Sequence, residues 1–298
     1  MIDLVDVQAS KPSVQIPITE VGLAGIKYPI KVNRGNREIN LTAEITIFAD
    51  LPAARKGADF SRNVEAINEV ILNNSVTSGI EVLAASLASR VLEKLPYSNS
   101  ARVEILSTLL MEKSDHSSRS AIVPYDIYGS AAVKRGEDPS MTVGVTCLTL
   151  TACPCAMETT RALISSEHTE VSAALEKIPS ITHNQRNRVT VQISNLKASI
   201  VNIEDIISVV EETTGGPLFS LLKRIDEGEL VYRAHKNPKF VEDVVRDVAK
   251  AVVTRLSAIP GSCILTVKSQ SQESIHPHDA VAKIEAPIET LRKLMNVH

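Results

Sequence analysis

The sequence has no tryptophan, and aromatic residues make up only 3% of its 298 positions. A hydrophobic core must therefore be built from Val, Ile, Leu and Ala, and the 44% of hydrophobic residues is enough for one large domain or two modest ones. No run of about 18 apolar residues occurs, so we expect no membrane-spanning helix.

Strong net charge is also lacking. The formal net charge is −3, without the basic excess of nucleic-acid-binding proteins, so we expect no nucleic-acid partner. A small anionic substrate stays possible, because a few local Lys and Arg residues are enough to bind phosphate. Residues 1–12 contain Asp3, Asp6 and Lys11 and no uninterrupted apolar run, and four cysteines are too few for a disulfide framework in a chain of this length. We therefore expect a cytoplasmic protein.

Hydrophobic periodicity predicts an α+β protein. In residues 41–49 apolar residues recur at every second position, with Thr42, Glu44, Thr46 and Phe48 between them, as in a strand with one buried face, and the turn-like residues 34–36 precede them. Ser78 and Glu81 have capping-box spacing at the start of a predicted helix, and Asn237-Pro238 is typical of another helix start. The order of elements repeats loosely, which predicts two modules of antiparallel strands plus a helix pair, residues 1–138 and 139–298.

The long connection between residues 151 and 187 has little periodicity, and it begins with the most specific motif, Cys153-Pro154-Cys155. A cysteine thiolate is both a strong nucleophile and a good ligand for zinc or iron. The short, stiff spacing makes chelation by both thiols difficult, so one thiol would bind a metal while the other stays free. The alternative is that both are small buried hydrophobic residues. Cys147 and Cys263 lie in predicted strands and are expected in the core.

A second polar motif follows the predicted strand 263–269. Glu273, His276 and His278 place a carboxylate and two imidazoles within six residues, which are the groups that a metal site needs. We expect only one of the two histidines to bind metal, while the other would transfer protons. A solvated polar turn is the alternative.

Two further candidates come from the middle of the second half. His183 begins the segment His183-Asn184-Gln185-Arg186 and is a candidate ligand or general acid/base, or else a surface residue. Glu211 lies at the side of a predicted apolar helix stripe and should turn inward, whereas Glu212 should face solvent. A half-buried carboxylate favours a nearby cation.

The segment 221–227 combines basic and acidic residues. Lys223 and Arg224 suit phosphate, and Glu227 suits the N1–H and 2-amino edge of guanine, with Asp226 as its rival. The alternative is the C-terminus of a helix, where basic residues are favourable.

Six stretches together resemble the prokaryotic type IB GTP cyclohydrolases, especially their archaeal branch. They are ADLPAARKGADFSR (49–62), CPCA (153–156), HNQR (183–186), LLKRIDE (221–227), NPKFVEDVVRD (237–247) and ESIHPHDAVA (273–282). The resemblance implies the tunnelling fold, a homotetramer with active sites at subunit or module interfaces, and one divalent metal per subunit: Fe(II), or else Zn(II) or Mn(II).

The resemblance also implies site roles. It places the metal ligands at Cys153, Glu211, Glu273 and His276, and the catalytic residues at Cys153, Cys155, His183 and His278. GTP would be the substrate: a metal-activated water attacks C8 of the purine, His183 or His278 protonates the imidazole ring, and formate leaves.

The product is left open by the sequence. The archaeal branch implies 7,8-dihydroneopterin 2′,3′-cyclic phosphate with release of pyrophosphate, for tetrahydromethanopterin or folate-type pterin biosynthesis. The bacterial product would be 7,8-dihydroneopterin triphosphate. Two other functions stay open: an NADPH-dependent reductase on the same fold, and a non-catalytic purine-binding protein.

Overall fold

The computed structural model describes residues 6–34, 37–73, 76–114, 117, 119–197 and 201–296. In these residues the strands form one sheet of eight, in which each strand neighbours the next along the chain. They are β1 (Ile18–Arg34), β2 (Arg37–Leu51), β3 (Ser100–Ser114), β4 (Ser120–Lys134), β5 (Ser140–Ala152), β6 (Asn184–Leu196), β7 (Ile264–Gln272) and β8 (Ala280–Pro287).

The helices fall mainly in two groups, after β2 and after β6. They are α1 (Phe60–Asn73), α2 (Ile80–Lys94), α3 (Pro154–Glu167), α4 (Ser172–Leu175), α5 (Ile203–Thr213), α6 (Arg224–Lys236), α7 (Val241–Arg255) and α8 (Ile288–Leu294). The prediction of an α+β protein with an antiparallel sheet is confirmed. None of these helices is both long and apolar enough to cross a membrane.

Contacts divide the chain into two compact units. Unit 1 is Met1–Thr108, Ile127–Val143 and Ser194–Ile200, and unit 2 is Leu109–Asp126, Gly144–Ile193 and Val201–His298. The predicted modules, residues 1–138 and 139–298, are continuous in sequence, whereas each of these units combines several segments. The two modules therefore stay a prediction. Every candidate site residue belongs to unit 2.

Each unit has a core of the expected aliphatic type. In unit 1 the alternation of β2 buries Ile45 and Ile47 completely, as its period of two predicts. In unit 2 the stripe of Val244, Val248 and Val252 is buried where α7 contacts α5, β7 and β8. The scarcity of aromatic residues therefore leaves both cores to branched side chains.

Two predicted helix caps are wrong. The N-cap of α2 is Gly79 without a side-chain hydrogen bond, so Ser78 and Glu81 form no capping box. Asn237 ends α6 instead of starting a helix, and α7 begins at Val241. There Asp243 Oδ2 accepts a hydrogen bond of 3.1 Å from the backbone N–H of Phe240. In both places the residue that was expected to cap the helix lies in the linker just before it. Polar residues are common in such linkers as well as at helix caps.

Three elements of the structure differ from what the sequence pattern predicts. The poorly periodic connection contains α3, and the residues after the His276 segment form β8. The segment 221–227 is the beginning of α6 and not the C-terminus of a helix, because Lys223 is its N-cap. This puts Asp226 and Glu227 in the first helical turn, where the helix dipole favours acidic residues.

Candidate functional site

The end of β5 and the start of β6 bring two candidate residues together. The backbone N–H of Cys153 donates to the carbonyl of His183 at 3.3 Å, and Thr182 Oγ1 donates to the carbonyl of Cys153 at 2.7 Å. Cys153 and His183 are therefore cross-strand neighbours at the same edge of unit 2. They are 30 positions apart in the sequence and adjacent only because the two strands pair.

The end of β7 adds a carboxylate to the same edge. His183 Nδ1 lies 3.0 Å from Ser274 Oγ, and Gln185 Nε2 donates to Glu273 Oε1 at 3.5 Å. Three candidates next to the ends of three strands, Cys153, His183 and Glu273, are thus brought to one edge. Ser274 and Gln185, which hold two of them, were not singled out in the sequence, although both lie inside the quoted motifs.

The two motif cysteines have different environments. Cys153 is the N-cap of α3: its Sγ accepts from the backbone N–H of Ala156 at 3.5 Å, with Pro154 in the first helical turn, where no N–H is needed. The helix dipole favours negative charge at this position. Cys155 is exposed, so the two thiols separate as the stiff motif predicts, and neither is a buried hydrophobic residue.

The other cysteines are in the core, as predicted. Cys147 and Cys263 are both 1% exposed. Burial raises the pKa of the Cys147 thiol well above its usual range, and the nearby Glu211 carboxylate raises it further. These thiols are therefore poor nucleophiles at neutral pH.

His276 and His278 lie in the turn between β7 and β8. Their rings stack with centroids 5.2 Å apart and an interplanar angle of 14°, and both side chains are exposed. Their division into a metal ligand and a proton carrier stays a prediction.

Glu211 turns inward and Glu212 outward, as predicted, with side chains 11% and 62% exposed. Lys113 Nζ lies 2.8 Å from Glu211 Oε2, and the Tyr125 hydroxyl donates to the other carboxylate oxygen. Burial and this carboxylate raise the pKa of Tyr125 well above its ordinary value. The cation beside Glu211 in this chain is therefore Lys113, which the sequence did not point to because it lies in a distant strand.

The first turn of α6 separates its two acidic residues. Asp226 is 3% exposed and is bound by Arg119 and Ser117. Glu227 is exposed and lines an open groove of about 800 Å³ together with Arg224, Tyr232 and His235. Lys223, the N-cap, is exposed beside it. Glu227 is thus free to bind a ligand, whereas Asp226 is already fully engaged.

His235 connects this groove with the strand-end residues. Its Nε2 lies 3.3 Å from the carbonyl of Thr182, the neighbour of His183, and its Nδ1 lies 2.8 Å from the carbonyl of Val231 on its own helix. The groove along α6 is therefore one residue away from the edge that carries Cys153 and His183.

The predicted metal ligands are only partly brought together. Cys153 and Glu273 lie at the strand-end edge, Glu211 is paired with Lys113, and His276 stacks on His278. In the part of the chain that the structure describes, no three His, Cys, Asp or Glu residues are grouped closely enough to hold a metal ion. The donors at the edge are nevertheless sulfur, imidazole and carboxylate, which suit zinc or iron.

Comparison with known proteins identifies a family. The family model described as type I GTP cyclohydrolase folE2 matches residues 4–282. The chain is 40% identical over 294 residues to the GTP cyclohydrolase MptA of Thermoplasma acidophilum, with 99% of each chain covered. It is 42% identical over 299 residues to the protein of the same name from Thermoplasma volcanium, with both chains fully covered.

A solved structure supports the fold. The uricase of Arthrobacter globiformis superposes with a TM-score of 0.53 at 9% identity, over 90% of this chain and 93% of the uricase. At this identity the likeness concerns the fold alone. It confirms the predicted tunnelling fold.

Proposed function

Since the chain belongs to the type I GTP cyclohydrolase folE2 family, we propose that it hydrolyses GTP at C8 of the purine and releases formate. The observation that carries this proposal is the assembly of Cys153, His183 and Glu273 at one edge, beside the groove that Glu227 lines. A thiol, an imidazole and a carboxylate beside an open groove suit hydrolysis of a C–N bond.

The product we propose is 7,8-dihydroneopterin 2′,3′-cyclic phosphate, with pyrophosphate as the second leaving group. The support is the identity of about two fifths to two archaeal relatives over the full chain. The product would enter tetrahydromethanopterin or folate-type pterin biosynthesis. The alternative, 7,8-dihydroneopterin triphosphate, differs only in whether the phosphate chain is cleaved.

We further propose that the enzyme needs one divalent metal, Fe(II) or else Zn(II) or Mn(II). Cys153 and Glu273 would hold it, with Glu211 and His276 as the other candidates. A metal at this edge would supply Lewis-acid activation of the attacking water. Because the described residues of one chain do not gather three ligands, we propose that assembly into a homotetramer completes the set.

The chain's own residues then account for binding and proton transfer. Glu227 would accept hydrogen bonds from the guanine N1–H and 2-amino group, and Lys223 and Arg224 would bind phosphate. Water adds to C8, the C8–N9 bond breaks as the departing nitrogen takes a proton, and a second water releases the formyl group as formate. His183 is our choice for the proton donor, with His278 as the second candidate, because Ser274 already orients the His183 ring. Cys155, exposed beside Cys153, would serve as the second thiol.

The direct test is to incubate reduced, Fe(II)-loaded protein with GTP under anaerobic conditions and to measure formate and a fluorescent oxidised pterin. Phosphorus NMR of the product distinguishes the cyclic phosphate from the triphosphate. We expect activity to disappear with a chelator and in Cys153→Ala, and to persist in the core variant Cys263→Ala, provided that this control folds. NADPH oxidation without formate, or GTP binding without turnover, would refute the proposal in favour of a reductase or of a binding protein.

A further inference from the structure

Directly behind the strand-end residues lies a layer of buried polar side chains. They occupy two successive buried positions at the end of each of three neighbouring strands, on the face that continues the hydrophobic core, and each is at most 8% exposed: Thr149, Thr151, Gln185, Asn187, Ser269 and Ser271. A layer of this kind is unusual in a core that is otherwise aliphatic, because buried polar groups destabilise the fold unless they are hydrogen-bonded.

Part of this layer is satisfied within the protein. Thr149 and Thr151 donate across to the carbonyls of Asn187 and Gln185, each at 3.4 Å, and Ser269 Oγ donates to Asn187 Oδ1 at 2.9 Å. These contacts fix the pairing of β5, β6 and β7. Because β6 and β7 are antiparallel, Gln185 then lies opposite Ser271, two residues away from the Asn187–Ser269 pair on each strand.

Three atoms of the layer have no protein partner among the described residues: Gln185 Oε1, Asn187 Nδ2 and Ser271 Oγ. Chemically they are complementary to one small molecule, since the first accepts a hydrogen bond, the second donates one and the third does either. Side chains opposite each other or two residues apart on one sheet face are within reach of a single bridging group. A water that donates to Gln185, accepts from Asn187 and shares its third hydrogen bond with Ser271 makes the three bonds typical of an internal water.

Gln185 also reaches outward from the layer. Its Nε2 donates to Glu273 Oε1, so one end of the amide faces the candidate site while the other end faces the buried layer. An amide held at both ends has only one orientation, because a flip would set its oxygen against the carboxylate.

We propose that an internal water bridges Gln185, Asn187 and Ser271, and that Gln185, oriented by this water, is the positioning residue of the Glu273 carboxylate. The water site stands on the geometry of the layer alone. The catalytic consequence rests on the proposed function, in which Glu273 acts at the reacting centre. Gln185 itself touches neither the substrate nor the reacting atoms.

A crystal structure of the purified protein at high resolution tests the water site. We expect one ordered water within hydrogen-bond distance of all three side chains, and the same Glu273 rotamer in every subunit. Ser271→Ala removes one partner of the water, so its thermal midpoint should fall by about 2 °C. An unchanged or higher midpoint, with no water density, would overturn the water site, because an unsatisfied hydroxyl costs nothing to remove.

Gln185→Met tests the positioning role, because methionine keeps the length of the side chain but makes no such hydrogen bonds. We expect kcat for formate release to fall about tenfold, with KM within about twofold, as for other residues that orient a metal ligand. Gln185→Glu should be slower still, because it sets a second carboxylate against Glu273. The matched control is Gln192→Met, on the opposite face of the same strand, which should retain wild-type kcat.

These results separate this inference from the proposed function. Wild-type protein that releases no formate refutes the function, and the water density and the Glu273 rotamer in Gln185→Met then decide the inference. A wild-type rate and an unchanged Glu273 rotamer in Gln185→Met would overturn the positioning role.

Discussion

His183 Nδ1 and Ser274 Oγ lie 3.0 Å apart, so that the imidazole entering β6 is held by the residue that follows Glu273 at the end of β7. The contact uses one ring nitrogen and leaves Nε2 available for proton transfer or for a ligand. It is also the only hydrogen bond of the His183 ring in the described parts of the chain, so the direction of that ring depends on a single hydroxyl.

Ser274→Ala removes this hydroxyl without changing the backbone. We expect kcat for formate release to fall by about threefold to tenfold, since the ring loses its preferred orientation, while the thermal midpoint stays within about 1 °C. Steady-state kinetics with GTP measure the effect, and Ser166→Ala, an exposed serine in α3, is the control. A wild-type rate in Ser274→Ala would show that the contact has no role in catalysis.

Lys113→Met should destabilise the fold, because it leaves the largely buried Glu211 carboxylate without its cation. We expect the free energy of unfolding to fall by about 1–3 kcal/mol, measured by urea denaturation. The matched control is Arg255→Met, which breaks the exposed pair with Glu212 and should cost at most about 1 kcal/mol. Equal losses in the two variants would contradict the difference in burial between the two glutamates.

Substitution of the two acidic residues in α6 should separate stability from substrate binding. Asp226→Asn weakens the pair that the buried Asp226 carboxylate forms with Arg119 and should lower the thermal midpoint by several degrees. Glu227→Gln loses the carboxylate that would bind guanine, so KM for GTP should rise by about tenfold or more with the midpoint unchanged. The reverse pattern would make Asp226 the guanine anchor.

The four cysteines should react with iodoacetamide at different rates. Cys155 is exposed and should be modified first, whereas Cys147 is buried and its pKa is raised, so that almost none of it is thiolate at pH 8. We expect its modification to be at least about a hundredfold slower in the native protein than in urea. Peptide mass spectrometry at timed intervals gives the four rates, and rapid native labelling of Cys147 would contradict its burial.

Local patterns predicted individual elements well where one face is buried. The alternation in β2 and the stripe in α7 appear in the structure as predicted, because burial of one face imposes the period of the sequence. The same reasoning failed for α3 and β8. The helix α3 buries only Met157, and β8 buries no residue completely, so neither carries a clear hydrophobic period.

Sequence reasoning found most residues of the candidate site, but not their partners. Cysteine, histidine and glutamate in a polar motif are candidates for a site because of their side-chain chemistry alone. Gln185, Ser274, Lys113 and Arg119 are ordinary residues in sequence, and they gain importance only through contacts with residues 88 to 107 positions away. No local pattern encodes such a contact.

From the sequence alone, the aliphatic core, the α+β class, the family resemblance and the inward turn of Glu211 could be deduced, because each depends on composition, period or a contiguous motif. Only the tertiary structure decided that Cys153, His183 and Glu273 share one edge, that Asp226 is buried while Glu227 faces a groove, and that a polar layer lies behind them. These relationships depend on strand pairing and helix packing between distant segments. The free energy of those contacts is distributed over many residues, so no single position in the sequence predicts them.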